Sequence, residues 1–352
     1  MGIENQTNKI KGAQSVEYGN PPYILEYASI CGKKEGQGPL KEEFDERSED
    51  DMFGADTWEK AESALQEKTV RLLLQKSGYQ NTDIRYMFAG DLLGQLIAST
   101  FGLLNFEIPF FGLYGACSTM GESLSLGSMT IAGGYADKVI TLASSHFASA
   151  EKTFRFPLEY GNQRPYSATW TVTGCGAVVL GSGSSAENKK KAKAKIRGIT
   201  TGKIVDFGVK DSMNMGACMA PAAADVIQKN LSDFGYTVDE YDKIITGDLG
   251  YIGQTILIDL LRAVDIDISE KHMDCGIEIF DSEKQDTHAG GSGCGCSATV
   301  LCGYILGKIQ RGEWKKVLFV PTGAMLSPIS FNEGQSVPGI AHAVIIENRE
   351  VQ

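Results

Sequence analysis

The chain is written twice, and that duplication constrains its fold more than any single motif does. Gly78-Tyr79 leads through polar residues into an apolar run, residues 84–89, and then into Gly90-Asp91-Leu92. Gly235-Tyr236 leads in the same way through Ile244-Ile245-Thr246 into Gly247-Asp248-Leu249. The spacing from the first glycine to the second is twelve residues in each copy (90 − 78; 247 − 235). Both copies continue with a Gly-Gln pair, Gly94-Gln95 and Gly253-Gln254, and an apolar helical stretch, residues 96–104 and 256–264. Gly115-Ala116-Cys117-Ser118 and Gly293-Cys294-Gly295-Cys296 then each open a segment of small residues before a strand at Val139-Ile140 or Val317-Leu318.

Each copy begins with a β-rich stretch, residues 23–30 and 196–205, and ends with one, residues 176–180 and 341–347. The pattern is β-α-β-α-β-α-β-β, twice. Alternation of strands with helices predicts an α/β fold of mixed or mainly parallel sheets covered by helices. The boundaries fall at 1–183 for the first half, 184–195 for a Gly-, Ser-, Ala- and Lys-rich connector, and 196–352 for the second half. Two stacked copies imply a pseudo-two-fold axis, with a site where helix N-termini from both halves meet. Asp56, three residues before Glu59, suits an N-cap with a capping-box partner. Residues 92–116 form the longest greasy stretch, but Gln95, Asn105, Glu107 and Pro109 interrupt it, so it reads as a buried helix followed by a buried strand rather than a membrane span.

Composition narrows the function. Among 352 residues, 33 Lys plus Arg face 44 Asp plus Glu, for a net charge of −11, which disfavours nucleic-acid binding because phosphate contacts need clustered cations. No apolar signal region follows Met1, and Gln6 breaks the myristoylation pattern that Gly2 would start, so a soluble or membrane-peripheral, intracellular protein is expected. Four histidines, at 146, 272, 288 and 342, are too few for a His-rich metal site, and no EF-hand pattern is present. The acidic run 42–51 reads as a solvated surface. Eight sparse cysteines without C-x-x-C spacing read as reduced thiols.

Cys117 is the sharpest local signal. An apolar strand reaches Gly115, and a helix starts near Cys117, where unpaired N–H groups would lower the thiol pKa. The alternative is a buried, inert thiol. His288, in Asp286-Thr287-His288-Ala289-Gly290-Gly291, lies just before the pseudo-symmetric partner of that helix. It is either a loop histidine or a partner for Cys117.

These residues resemble the thiolase superfamily of thiolases and ketoacyl synthases. The duplication, the Gly115-Ala116-Cys117 helix start, the His288-to-Gly291 loop and the strand Gly174-Cys175-Gly176-Ala177 carry the resemblance, with Cys175 where the superfamily has Asp. It implies thiolase-like halves in a five-layer α-β-α-β-α arrangement, and a homodimer by analogy. Residues 51–62, 155–165 and 336–344 are closer still to the stage V sporulation protein AD family. That likeness implies binding of dipicolinic acid, free or as its calcium chelate, without a cofactor or resident metal. It also implies peripheral placement on the inner spore membrane, with the other stage V sporulation channel subunits as partners in dipicolinate uptake.

The departures from the enzyme pattern favour a binder. No His or Asn follows the strand before Asp248, and residues 337–341 lack the second thiolase cysteine. A carboxylate at position 248 would repel an enolate. No catalytic residue is therefore assigned, Cys117 and His288 remaining as vestigial candidates. A condensing acyltransferase using Cys117 is the alternative function. The expected ligand-binding set is Cys117 and His288 at the pocket floor, with Arg155 and Arg164 on a covering loop whose Phe154, Phe156 and Tyr160 would meet a pyridine face.

Overall fold

The computed structural model describes residues 8–158 and 164–351. Ten strands carry the architecture: β1 Tyr23–Cys31, β2 Tyr86–Gly90, β3 Phe110–Gly112, β4 Lys138–Ser145 and β5 Gly174–Gly181 in the first half, then β6 Ala194–Thr201, β7 Lys243–Thr246, β8 His272–Asp274, β9 Lys316–Val320 and β10 Gly339–Asn348 in the second. Their spatial order is β8-β7-β9-β10-β6-β1-β5-β4-β2-β3, so each half has the order first-fifth-fourth-second-third and the two meet at their first strands. The directions repeat too. In each half the second strand runs parallel to the third and fourth, and the fifth lies antiparallel between the fourth and the first. The junction is short, Ala194 opposite Ile24 and Lys195 opposite Tyr23.

Six helices cover these strands: α1 Trp58–Ser77, α2 Ile97–Leu103, α3 Thr119–Ala132, α4 Met215–Phe234, α5 Gly250–Arg262 and α6 Cys294–Val300. Strand alternation explains the layers, since neighbouring side chains leave a sheet on opposite faces. Ile244, Leu318, Val320 and Ile345 pack outward with Met219, Val226 and Leu257 of α4 and α5. Their neighbours Ile245, Val317, Phe319 and Val344 pack inward with Met120 and Leu124 of α3 and Ala298 and Val300 of α6. On the far side Ile140, Leu142 and Val179 bury Leu65, Val70 and Leu73 of α1. The result is the expected α-β-α-β-α order, with α3 and α6 in the middle. Each fully buried aliphatic side chain contributes ~1.5–3 kcal/mol. The small residues of α3 are needed there: a Cβ on Gly121 would stand 2.7 Å from the His342 carbonyl oxygen of β10.

Local details differ from the sequence reading. The N-cap of α1 is Thr57, whose extended backbone lets its hydroxyl accept the Lys60 N–H at 3.4 Å. Asp56 instead pairs with Lys60 at the surface, and Glu59 with Lys152. The strand within residues 92–116 is not buried. β3 is the last strand of the sheet, and Phe110 and Phe111 are about half exposed, because among the described residues no further strand or helix covers that edge. The connector region holds a short helix, Ala186–Lys191, with Ser185 accepting the Asn188 N–H and a Glu187–Lys191 pair one turn apart; β6 already begins at Ala194.

Candidate functional site

The two middle helices meet at their N-termini. Residues Ala116–Ser118 form a tight turn leading into α3, with Ala116 in the left-handed region at φ 49°. Cys117 is buried in that turn, and the Gly293 N–H before α6 faces its sulfur. A short strand of the second half, Thr322–Ala324, lies against the same turn. A Cβ on Gly323 would stand 2.3 Å from the Gly115 carbonyl oxygen, so only glycine allows this approach. The site thus takes one wall from each half, as the repeat predicts.

The chemistry at Cys117 differs from expectation. Burial raises its thiol pKa well above the ordinary value, and the adjacent Asp248 carboxyl raises it further; the Gly293 N–H only partly opposes this. Beside that carboxyl the sulfur stays a thiol rather than standing as a thiolate. Asp248 also accepts the Gly293 N–H at 3.2 Å and the Thr322 hydroxyl at 3.0 Å. Burial, with the Asp274 charge behind it, pushes the Asp248 pKa up to about 7, despite these hydrogen bonds. The helix-terminus field, worth ~0.3–1 kcal/mol and at most ~2, loses here to desolvation and a neighbouring acid.

Asp274 is a residue that sequence reasoning missed. It accepts the N–H groups of Leu249 at 2.9 Å, Gly250 at 3.1 Å and Ile277 at 3.2 Å, and the Thr246 hydroxyl at 2.6 Å. Gln254 donates to His272 Nδ1 at 2.9 Å, which leaves the His272 Nε2–H to donate to Thr246 at 2.9 Å. This chain fixes the turn that carries Asp248. A signal was available: aligning the two copies sets Asp274 opposite Gly112, a change from glycine to acid at a strand end.

The cavity over Cys117 is small, about 60 Å³, with Leu92, Tyr114, Phe154, Met215 and Leu326 among its walls. Since a water occupies ~30 Å³ of liquid, the cavity as it stands holds about two waters. Phe154 and Met215 also border a second crevice shared by Arg155 and Arg164. Arg155 is buried, and its Nε and Nη2 donate to Glu151 Oε2 at 2.8 and 2.5 Å. Arg164 donates to the Asp286 carbonyl at 2.9 Å and to its carboxylate at 2.6 Å. Both arginines are therefore ion-paired.

His288 does not join Cys117 on the pocket floor. Its Nδ1 donates to the Pro165 carbonyl at 2.9 Å, and its Nε2 lies 3.1 Å from Asp286 Oδ1. The single expected site is thus two neighbouring groups, Cys117 with Asp248 and Arg164 with His288. The positive φ of His288, 52°, turns its side chain out of the cavity toward the Arg164 side. Phe154 reaches the cavity, Phe156 points to solvent, and Tyr160 lies outside the described residues. Cys175 sits in β5, packed among the α1-facing core residues, where burial pushes its pKa up to about 12.

Comparison with known proteins agrees with both levels of likeness. The family model described as Stage V sporulation protein AD matches residues 12–347. The Stage V sporulation protein AD of Bacillus subtilis (strain 168) is 39% identical over 339 residues, which cover 96% of this chain and 98% of that protein. Among solved structures, 3-oxoacyl-[acyl-carrier-protein] synthase III from Aquifex aeolicus VF5 superposes with a TM-score of 0.55 at 12% identity, over 93% of this chain and 99% of that one. Human mitochondrial 3-ketoacyl-CoA thiolase gives 0.54 at 13% identity, over 93% and 98%. At such identities the structural likeness speaks for the fold alone, and that fold is thiolase-like.

Proposed function

Because this chain belongs to the Stage V sporulation protein AD family, and so serves sporulation, we propose that it binds dipicolinic acid and supports its uptake into the developing spore. The observation that carries a binding rather than a catalytic reading is the Cys117–Asp248 contact. Acyl transfer needs a thiolate and donors for a developing oxyanion. Here burial and a carboxyl keep the thiol protonated, and the group facing it is an acid. The scaffold retains a cavity with apolar and aromatic walls, and two arginines border the adjoining crevice. An aromatic dicarboxylate suits such a mixture, since arginine forks match carboxylates and ring faces pack on apolar side chains. The ligand enters free or as its calcium chelate, with no resident cofactor. The small cavity makes Phe154 and Leu326 the walls that must part.

Calorimetric titration of dipicolinate, with and without calcium, tests the reading. Binding by the wild type is expected, with weaker binding by Cys117→Ala, His288→Ala or Arg164→Ala. Wild-type affinity in all three variants removes the proposed site. The competing reading, a condensing acyltransferase, predicts a stable acyl adduct on Cys117 after exposure to acyl-CoA. Mass spectrometry is expected to find none.

One feature of the surface supports a reading of the partners. Phe101, Leu104, Phe110 and Phe111 are exposed on α2, the turn after it and the open edge β3, which suits a second copy of this chain adding its own edge strand. No helix among the described residues is long and apolar enough to cross a membrane. The reading places the chain at the inner spore membrane through the channel subunits or through surface contacts. Sedimentation of the purified chain is expected to give a dimer.

A further inference from the structure

The side chains best suited to hold a carboxylate already hold one, and it belongs to the protein. Arg164 lays its guanidinium 4.9 Å from the centre of the Trp170 ring and grips Asp286 twice, at the carbonyl and at Oδ2. The other carboxylate oxygen, Oδ1, faces His288 Nε2 at 3.1 Å. Lys34 Nζ lies 4.1 Å from the centre of the same Trp170 ring, close enough for the Arg164 and Asp286 charges both to act on it. Trp170 is itself fixed by Phe147, stacked at 3.9 Å with an interplanar angle of 4°. Arg164 and Lys34 thus share one rigid aromatic plate, with Arg164 holding the carboxylate and His288 beside it.

That carboxylate is poorly suited to a purely structural role. The Asp286 side chain is 74% exposed, although the Arg164 side chain that holds it is only 9% exposed. Asp286 and His288 both adopt left-handed backbone, at φ 51° and 52°, which costs a residue with a side chain ~1–2 kcal/mol. The loop is anchored just before this point, where Gln285 donates to the Lys34 carbonyl at 2.7 Å. Residues 286–288 therefore spend backbone strain to place an exposed anion on a largely buried cation.

We propose that Arg164 and Lys34, seated on Trp170, with His288 alongside, form a carboxylate subsite in which Asp286 is a resident latch that a ligand carboxylate displaces. The proposal rests on the dicarboxylate-binding reading and deepens it by locating where one carboxylate docks and what competes with it. The exchange trades one carboxylate for another, so Arg164 is never left unpaired. It frees Asp286 to swing into water and relaxes the strained turn. The crevice shared with Arg155 then lies open beside the bound ring.

The test is titration of dipicolinate into wild type, D286N, R164Q and the double variant, without calcium. Asn tolerates left-handed backbone, so D286N keeps the turn while removing the competing charge. D286N is expected to bind about tenfold more tightly than wild type, and R164Q about tenfold more weakly, the scale of one charge-assisted hydrogen bond. The double variant should match R164Q, because the gain runs through Arg164. Wild-type or weaker affinity in D286N overturns the latch while the binding reading stands. Absence of binding by the wild type, both without calcium and after calcium is added, overturns the reading and the latch together.

Discussion

Asp91 and Asp248 occupy the same place in the two halves, each following a Gly at the end of a second strand, and they do opposite work. Asp91 serves its own turn: it accepts the N–H groups of Leu93 and Ser99, both at 2.8 Å, and the Ser99 hydroxyl at 2.6 Å. Asp248 reaches beyond its turn, to Cys117 of the other half and to Thr322 of its own. The third strand explains the difference. Ala89 pairs with Gly112 in the first half, and Thr246 with Asp274 at the same register in the second. Where Gly112 offers no side chain, Asp91 must satisfy the helix entrance. Where Asp274 does that work, Asp248 is released to the site. One substitution at a strand end thus converts a structural acid into a pocket acid.

The largest effect that can break this comparison comes from Asp274→Ala. It strands three buried N–H groups and a hydroxyl, and should cost ~3 kcal/mol or more in urea unfolding at pH 7. Asp91→Ala should cost ~2–3 kcal/mol for the same reason. Asp248→Ala should cost clearly less, because it also removes a carboxyl that burial disfavours when charged. Equal losses for Asp91→Ala and Asp248→Ala would put an end to the assigned division of labour.

The pH dependence comes next. The folded-state pKa of Asp248 is raised from 3.8 to about 7 and that of Asp274 to about 6. A raised carboxyl pKa means that the folded state binds the proton more tightly. The associated stability is complete below about pH 4 and is lost as pH rises through the folded pKa values. Wild-type stability should fall by on the order of 4 kcal/mol between pH 5 and pH 8 from this source, and the fall should be shallower in Asp248→Asn.

Thiol reactivity gives a sharper reading of the same contact. Removing the charge in Asp248→Asn should speed iodoacetamide labelling of Cys117 at pH 8 by about tenfold, one unit of thiol pKa. An unchanged rate would mean that Asp248 does not hold the thiol proton.

The smallest effect tests where the halves remain alike. α1 and α4 are each 20 residues long, capped by Thr57 and Asn214, and each ends at a left-handed glycine, Gly78 and Gly235. Thr57→Ala and Asn214→Ala should each cost ~1 kcal/mol. A large inequality would show that the repeat has diverged in its frame as well as in its site.

Much of this was legible in the residues. Strand and helix order followed from spacing, because burial on both faces of a sheet imposes the same apolar rhythm wherever the unit recurs. The meeting of Cys117 with the Gly293 turn followed from the duplication. The exposure of Phe110 and Phe111 did not, since an apolar edge strand and an apolar central strand read alike. The place of Lys34 beside Arg164 and His288 was hidden as well, because it comes from a separate loop far along the chain.

The sequence by itself determined the doubled α/β frame and the place where two helix starts face each other, since these depend on periodic burial and on turn residues that act locally, while its five layers were implied by the resemblance to a known superfamily. Only the tertiary structure decided the state of Cys117, the role of Asp248 and the partner of His288. Those are set by desolvation and by charges a few ångströms away, and such neighbours are brought together across the chain by packing rather than by spacing along it.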